Sequence, residues 1–234
     1  MQSELNGILL VDKPQGPTSH DIVDRVRRKF QIKSVGHCGT LDPMATGLLI
    51  LVLGKATRLS ERFMGEDKEY EGTLTLGITT DSQDAEGEVT AEQPVPALSH
   101  ETIEEGFRGF QGDLLQTPPM HSAKKIAGVP LYKLARKGKE VERKARLIHI
   151  YRFEPTRIQL PNIDFRVVCT KGTYVRTLCH ELGAKLGCGG HLSRLRRTAS
   201  GQFRIDHAHT LEAIELWGYG TLLQHAINPL ELPS

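Results

Sequence analysis

Residues 36–53 read GHCGTLDPMATGLLILVL: a loop with glycines at 36, 39 and 47 runs directly into six consecutive aliphatic residues, closed by Gly54. An unbroken apolar run of that length between glycines predicts a strand buried on both faces, from which the loop at 36–47 hangs. An Asp-Pro dipeptide alone is ordinary turn chemistry. Around Asp42-Pro43, however, the glycines permit close backbone approach to a ligand and otherwise cost conformational entropy. The loop is therefore a candidate active site, with a turn as the alternative.

Outward from the loop, helices and strands interleave without a regular period. Upstream, residues 7–11 predict a short buried strand that ends in the turn dipeptides Lys13-Pro14 and Gly16-Pro17. Ser19 is the expected N-cap of an amphipathic helix, with Ile22, Val23, Val26 and Phe30 at helical spacing and Arg25, Arg27 and Arg28 between them. Downstream, residues 70–77 alternate as a half-buried strand, residues 81–88 form an acidic loop, and Ser99 caps a short helix to Phe107. A further helix is expected around Leu131, Leu134 and Ala135, between Pro130 and Gly138. Residues 147–153 and 163–169 predict strands, and residues 174–186 a helix with Gly187 at its C-terminus. No repeat and no long linker divides the chain.

Composition narrows the class. With 234 residues, 38% of them hydrophobic, the chain can bury a core. The longest apolar run is far below the ~18 residues of a spanning helix, and no basic segment precedes the early apolar residues as in a secretory signal. A cytoplasmic location and no membrane partner are expected. Cys38, Cys169, Cys179 and Cys188 form no C-x-x-C pair and are expected as reduced thiols. Net charge is only +2, but it is segregated: residues 61–105 carry 13 acids against 2 bases, residues 124–146 carry 9 bases against 2 acids, and residues 184–204 carry five bases and no acid. Such asymmetry suits a polyanion-binding face, or else solvated loops. Two motif matches fail. GLLILVLGKAT ends like a phosphate-binding loop but carries Ala56 where a Ser or Thr would hold magnesium, and His180-Glu181 lacks a second histidine at Ala184. No metal site is expected.

The stretch GHCGTLDPMATGLL, preceded by GILLVDKPQGPTSHDIV, resembles the signature of the tRNA pseudouridine synthases of the TruB type. Residues 68–72 (KEYEG) are similar to that family's K-x-Y segment, residues 171–178 (KGTYVRTL) to its G-T-Y segment, and residues 192–203 (LSRLRRTASGQF) to its L-R-R-T segment, in the family's order. The resemblance implies an α+β pseudouridine synthase fold: a central, mostly antiparallel sheet with flanking helices and a catalytic cleft. It also implies isomerisation of uridine to pseudouridine at position 55 of the tRNA T-loop, by base flipping, without cofactor or metal.

Roles follow from the same resemblance. Asp42 is implied as the essential carboxylate, acting as nucleophile at C1′ or on the way to a glycal intermediate, which suits chemistry through an oxocarbenium-like sugar. Arg176 is implied as the arginine that pairs with it, and Tyr70 as the ring that stacks on the flipped base and helps remove the C5 proton. Read alone, an aromatic on an alternating strand is a core residue. Tyr174 and Leu195 would line the pocket, and His37 would occupy the place vacated by the target nucleotide. Lys124, Lys133, Arg136 and Lys137 lie in a basic insertion, residues 124–146, expected to contact phosphates of the T-arm.

Residues 1–234 are expected to form a single catalytic domain. Most bacterial members continue past the equivalent of Asn228-Pro229-Leu230 into a small PUA-like C-terminal domain, which this sequence is expected to lack. Transfer RNA is the expected partner, with no obligatory protein. The rival readings are a guide-RNA-dependent synthase working with partner proteins and a non-catalytic RNA-binding or RNA-folding protein.

Overall fold

The computed structural model describes residues 5–120, 125–126, 129–130 and 141–231. The helix expected around Leu131, Leu134 and Ala135, together with Lys124, Lys133, Arg136 and Lys137, lies outside the described residues. The chain forms two compact units, Met1–Tyr70 with Leu195–Ser234, and Glu71–Arg194.

The first arm of the first unit runs β1 (Gly7–Lys13), α1 (Ser19–Phe30), β2 (Val35–His37), β3 (Thr46–Leu53) and α2 (Ser60–Gly65), and then enters β4 (Lys68–Leu76). Strands β1 and β3 pair antiparallel from Gly7↔Leu53 to Lys13↔Gly47, so Pro14 and the end of the 36–47 loop leave the same end of the sheet. Residues 8–11 and 48–53 are at most 3% exposed. The continuous aliphatic run thus forms the doubly covered strand expected, each such side chain contributing about 1.5–3 kcal/mol of burial. One face packs Ile8, Leu10, Leu48, Ile50 and Val52 against Phe63 and Phe203.

Helix α1 begins one residue earlier than expected. Thr18, not Ser19, is the N-cap, accepting from the Asp21 N–H while the Asp21 carboxylate accepts from the Thr18 N–H. This reciprocal pairing satisfies two orphan donors and holds the Asp21 carboxyl below its usual range. Ser19 is turned inward and buried, and its hydroxyl serves the loop described below.

The second unit continues along β4 into β5 (Ile78–Thr80), β6 (Val89–Glu92), α3 (His100–Arg108), β7 (Gly112–Gln116), β8 (Lys125–Ile126), β9 (Val129–Pro130), β10 (Arg146–Gln159), β11 (Asn162–Cys169) and α4 (Val175–Lys185), and then enters β12 (Gly190–Ser200). Its strand order is β4-β11-β10-β7. Strand β10 is antiparallel to both β11 and β7. Lys68, Tyr70, Gly72, Leu74 and Leu76 are the buried positions of β4, the period-two alternation expected. Ser99 caps α3 through the Thr102 N–H, also as expected. The core is aromatic: Phe107, Phe153 and Phe165 lie 4.5–6.3 Å apart by centroid. Gly72 is needed there, since a Cβ would stand 2.5 Å from the Phe165 ring. Strand β10 runs well past the expected 147–153, because its second half pairs with β11 through exposed polar residues that carry no apolar signal.

Strand β12 then returns the chain to the first unit, followed by β13 (Phe203–Arg204), β14 (His209–Thr210), α5 (Leu211–Leu216) and α6 (Tyr219–His225). The order here is β14-β1-β3-β12. Strand β14 is parallel to β1, and β12 is parallel to β3 through Arg196↔Thr46 and Arg197↔Gly47. Antiparallel pairings therefore dominate the described sheet, with two parallel ones in this unit. No sequence pattern announced β12, because its arginines interrupt the apolar alternation. Arg194, and Arg204 of β13, are exposed, whereas Arg196 and Arg197 are turned to partners within the unit. Arg196 makes a bidentate pair with Asp12 at 3.0 and 2.7 Å, Arg197 is 1% exposed, and Arg194 and Arg204 approach Asp164 and Glu69.

Candidate active site

In the first unit the loop that carries Asp42 is tied down at several backbone points. The buried Ser19 hydroxyl donates to the Leu41 carbonyl at 3.0 Å and accepts from the Leu41 N–H at 2.8 Å. Asp42 closes a turn by accepting from the Ala45 N–H at 3.0 Å. Lys13, fully buried at the end of β1, donates through Nζ to Pro14, Pro17 and Pro43 carbonyls at 2.9, 2.8 and 3.2 Å. A lysine in that position joins the turn after β1 to the residue following Asp42. The Asp42 side chain is half-buried.

His37 ends β2, five residues before Asp42, and its Nδ1 is buried without a hydrogen-bond partner. Burial, aided by the charges of Arg197 and His20, lowers its pKa, so the imidazole is neutral near pH 7. Burial pushes the neighbouring Cys38 thiol up to about 11, which leaves it unreactive. Leu195 is buried, and its carbonyl accepts from the Thr46 hydroxyl, four residues past Asp42. Tyr70 is 9% exposed on β4, beside Glu69, whose carboxylate accepts from Thr198 of β12. Four of the residues named from the sequence, His37, Asp42, Tyr70 and Leu195, thus belong to this unit.

Tyr174 and Arg176 belong to the second unit. Tyr174 is the N-cap of α4, and the buried Gln116 side chain grips its backbone: the Tyr174 N–H donates to Oε1 at 2.7 Å, and Nε2 donates to the Tyr174 carbonyl at 3.1 Å. Arg176, in the first turn, is 5% exposed. Its guanidinium donates to Asp84 Oδ2 at 3.0 Å, and it lies 5.8 Å from the Tyr174 ring centroid. Asp84 is held in turn: Oδ1 accepts from the Ser82 hydroxyl at 2.6 Å and from the Glu86 N–H at 3.1 Å. The fork is fixed before any substrate arrives.

Gln116 and Asp84 were not singled out from the sequence. Asp84 lay inside a stretch legible only as an acidic loop, and its partner is 92 residues away. A second missed feature is a concavity of about 490 Å³ at the other end of β3 from the Asp42 loop, with Lys33, Lys55, Arg58 and Tyr219 in its lining and no acidic residue. Among the described residues none of those three cations makes an ion pair, which suits an anion-binding surface. No described helix is long and apolar enough to cross a membrane.

Comparisons with known proteins fit this arrangement. Residues 27–175 match the family described as TruB family pseudouridylate synthase (N terminal domain), and residues 176–233 match the tRNA pseudouridylate synthase B C-terminal domain. The chain is 59% identical over 214 residues to the tRNA pseudouridine synthase B of Opitutus terrae, covering 92% of this chain and 89% of that protein. It is 52% identical over 212 residues to that of Syntrophotalea carbinolica, covering 91% and 69%. Among solved structures, a Cbf5-Nop10-Gar1 complex is similar with a TM-score of 0.74 at 30% identity, over 96% of this chain. The chain spans 60% of the length of the matched chain in that complex.

Proposed function

The chain belongs to the TruB family of pseudouridylate synthases, and on that footing we propose that it isomerises uridine to pseudouridine at position 55 of tRNA, in the T-loop. The reaction breaks the C1′–N1 bond, turns the base, and forms a C1′–C5 bond. The proton leaves C5 and N1 gains one, so no electrons are exchanged and no cofactor is called for. Asp42 is the carboxylate that traps or stabilises the oxocarbenium-like sugar. Tyr70 stacks on the flipped base and takes part in removing the C5 proton. Arg176, aimed by Asp84, is the cation of the same reaction. Tyr174 and Leu195 form pocket walls, and a neutral His37 stacks where the nucleotide was withdrawn, as an uncharged ring at a dry position can.

The observation that carries this reading is the fixation of the Asp42 loop by Ser19 and Lys13, which places one half-buried carboxylate on a rigid base. The insertion at 124–146, with Lys124, Lys133, Arg136 and Lys137, and the cations Lys33, Lys55 and Arg58 supply phosphate contacts along the T-arm and beyond. Residues 1–234 act as a single catalytic domain on tRNA in the cytoplasm, without an obligatory protein partner. Mapping pseudouridine in unmodified tRNA after incubation with pure protein tests this: product confined to the T-loop is expected. Product elsewhere, or only in the presence of a guide RNA, would assign the guide-dependent reading instead.

A further inference from the structure

Arg197 is an unusual residue to find 1% exposed in a protein whose other β12 arginines reach carboxylates. Its guanidinium has carbonyl partners instead. Nε donates to the Leu48 carbonyl at 2.6 Å, and one terminal nitrogen donates to the Gly39 carbonyl at 3.1 Å. Leu48 lies just after the loop that carries Asp42, and Gly39 lies near its start. One planar fork therefore spans the base of the segment that holds the carboxylate, as only a guanidinium can, since its donors are fixed relative to one another. A buried cation with carbonyl partners alone is costly, so a cheaper residue would serve if the site needed packing only.

The loop backbone makes room for the guanidinium on one side and for the Arg197 main chain on the other. Gly39 sits at φ +100°, and a Cβ there would stand 3.2 Å from the Arg197 guanidinium. Gly47 sits at φ +98°, and a Cβ there would stand 2.4 Å from the Arg197 carbonyl oxygen, so the parallel pairing of β12 on β3 depends on it. Two of the loop's glycines are thus explained by Arg197 rather than by a ligand.

We propose that Arg197 is a positioning residue for Asp42: by bridging Gly39 and Leu48 it sets the aim of the carboxylate on C1′ without touching the substrate. The proposal rests on Asp42 being the reacting carboxylate. Arg197→Lys keeps the charge but cannot hold both carbonyls in one plane, so it should lower the single-turnover rate by ~10-fold or more, the order expected of a misaimed group. Affinity for an unmodified T-arm hairpin should stay within about threefold, since phosphate contacts lie elsewhere. The assay is run well below the melting temperature of each variant. Arg197→Gln, which removes the buried charge and can reach at most one of the two carbonyls, should give the same loss of rate at unchanged affinity, and it decides the question if Arg197→Lys does not fold.

A folded variant with a rate within about threefold of wild type, or one whose loss lies in affinity and not in rate, would overturn the proposal. Asp42→Asn is measured beside them. If that variant stays active, the reading of Asp42 fails, whatever the Arg197 variants do.

Discussion

Asp84 holds Arg176 by a 3.0 Å ion pair whose two side chains are only 4% and 6% exposed, across 92 residues of sequence. An arginine taken this far out of water needs a partner, and Asp84 is itself braced by Ser82 and the Glu86 N–H. The acidic loop between β5 and β6 thereby becomes part of the support for the helix that carries Arg176.

Asp84→Ala should therefore destabilise the fold by about 1–3 kcal/mol, the cost of removing one buried hydrogen-bonding partner from Arg176 and from Ser82. Urea unfolding gives the stability. Where the variant remains folded, the rate on tRNA should fall by ~100-fold, as expected when a reacting group is misplaced by about an ångström. Unchanged stability and rate would mean that Arg176 does not depend on this carboxylate.

His37 gives a pH dependence with a defined sign. Its pKa is lowered in the folded state, so below the unfolded value of 6.5 the unfolded chain binds more protons than the native one, and stability is lost as pH falls. His37→Gln should remove that part of the loss, leaving the two proteins alike above pH 7 and the variant relatively more stable towards pH 5. Melting temperatures across that range, with an NMR titration of the His37 ring, check it. A ring that titrates at or above 6.5 would contradict the burial argument.

All four cysteines are buried and none is in a disulfide, and Cys38 is pushed up to about 11. Native protein at pH 8 should react with a thiol reagent over hours rather than minutes, and four thiols should appear at once in denaturant. A fast-reacting native Cys38, identified by the site of labelling, would show that the loop beside Asp42 opens readily.

The concavity with Lys33, Lys55 and Arg58 in its lining should act through phosphates. Replacing all three by Ala should weaken tRNA binding and reduce the slope of log K against log salt by roughly 2 to 3, whereas Lys133, Arg136 and Lys137 replaced by Ala should do the same independently. An unchanged slope in either triple variant would assign that stretch to a solvated face.

Much of the fold was legible in the sequence where one force dominated. Residues 48–53 read as a buried strand, and the alternation over residues 70–77 marked a half-covered one, which begins two residues earlier at Lys68. Long-range polar pairing was not legible. Arg194, Arg196 and Arg197 read as part of a polyanion-binding face or else a solvated loop, yet their partners are Asp164, Asp12 and two backbone carbonyls. Ser19 looked like a cap because cap chemistry is local, whereas its bonds to Leu41 cross 22 residues. The candidate residues themselves were read from motif resemblance. The supports Asp84, Gln116 and Arg197 became visible only in three dimensions, since nothing local distinguishes a positioning side chain from a surface one.

The most direct measurement is single-turnover conversion of uridine in unmodified tRNA by Asp42→Asn, with binding of the same RNA measured alongside. The substitution keeps the shape of the side chain and removes the charge that acts on the transition state. Pseudouridine formation should fall below about a thousandth of wild type, a barrier rise of at least ~4 kcal/mol, while the dissociation constant stays within a few fold. A variant that retains more than about a tenth of the wild-type rate, a barrier change under ~1.4 kcal/mol, would contradict the assignment of Asp42 as the essential carboxylate.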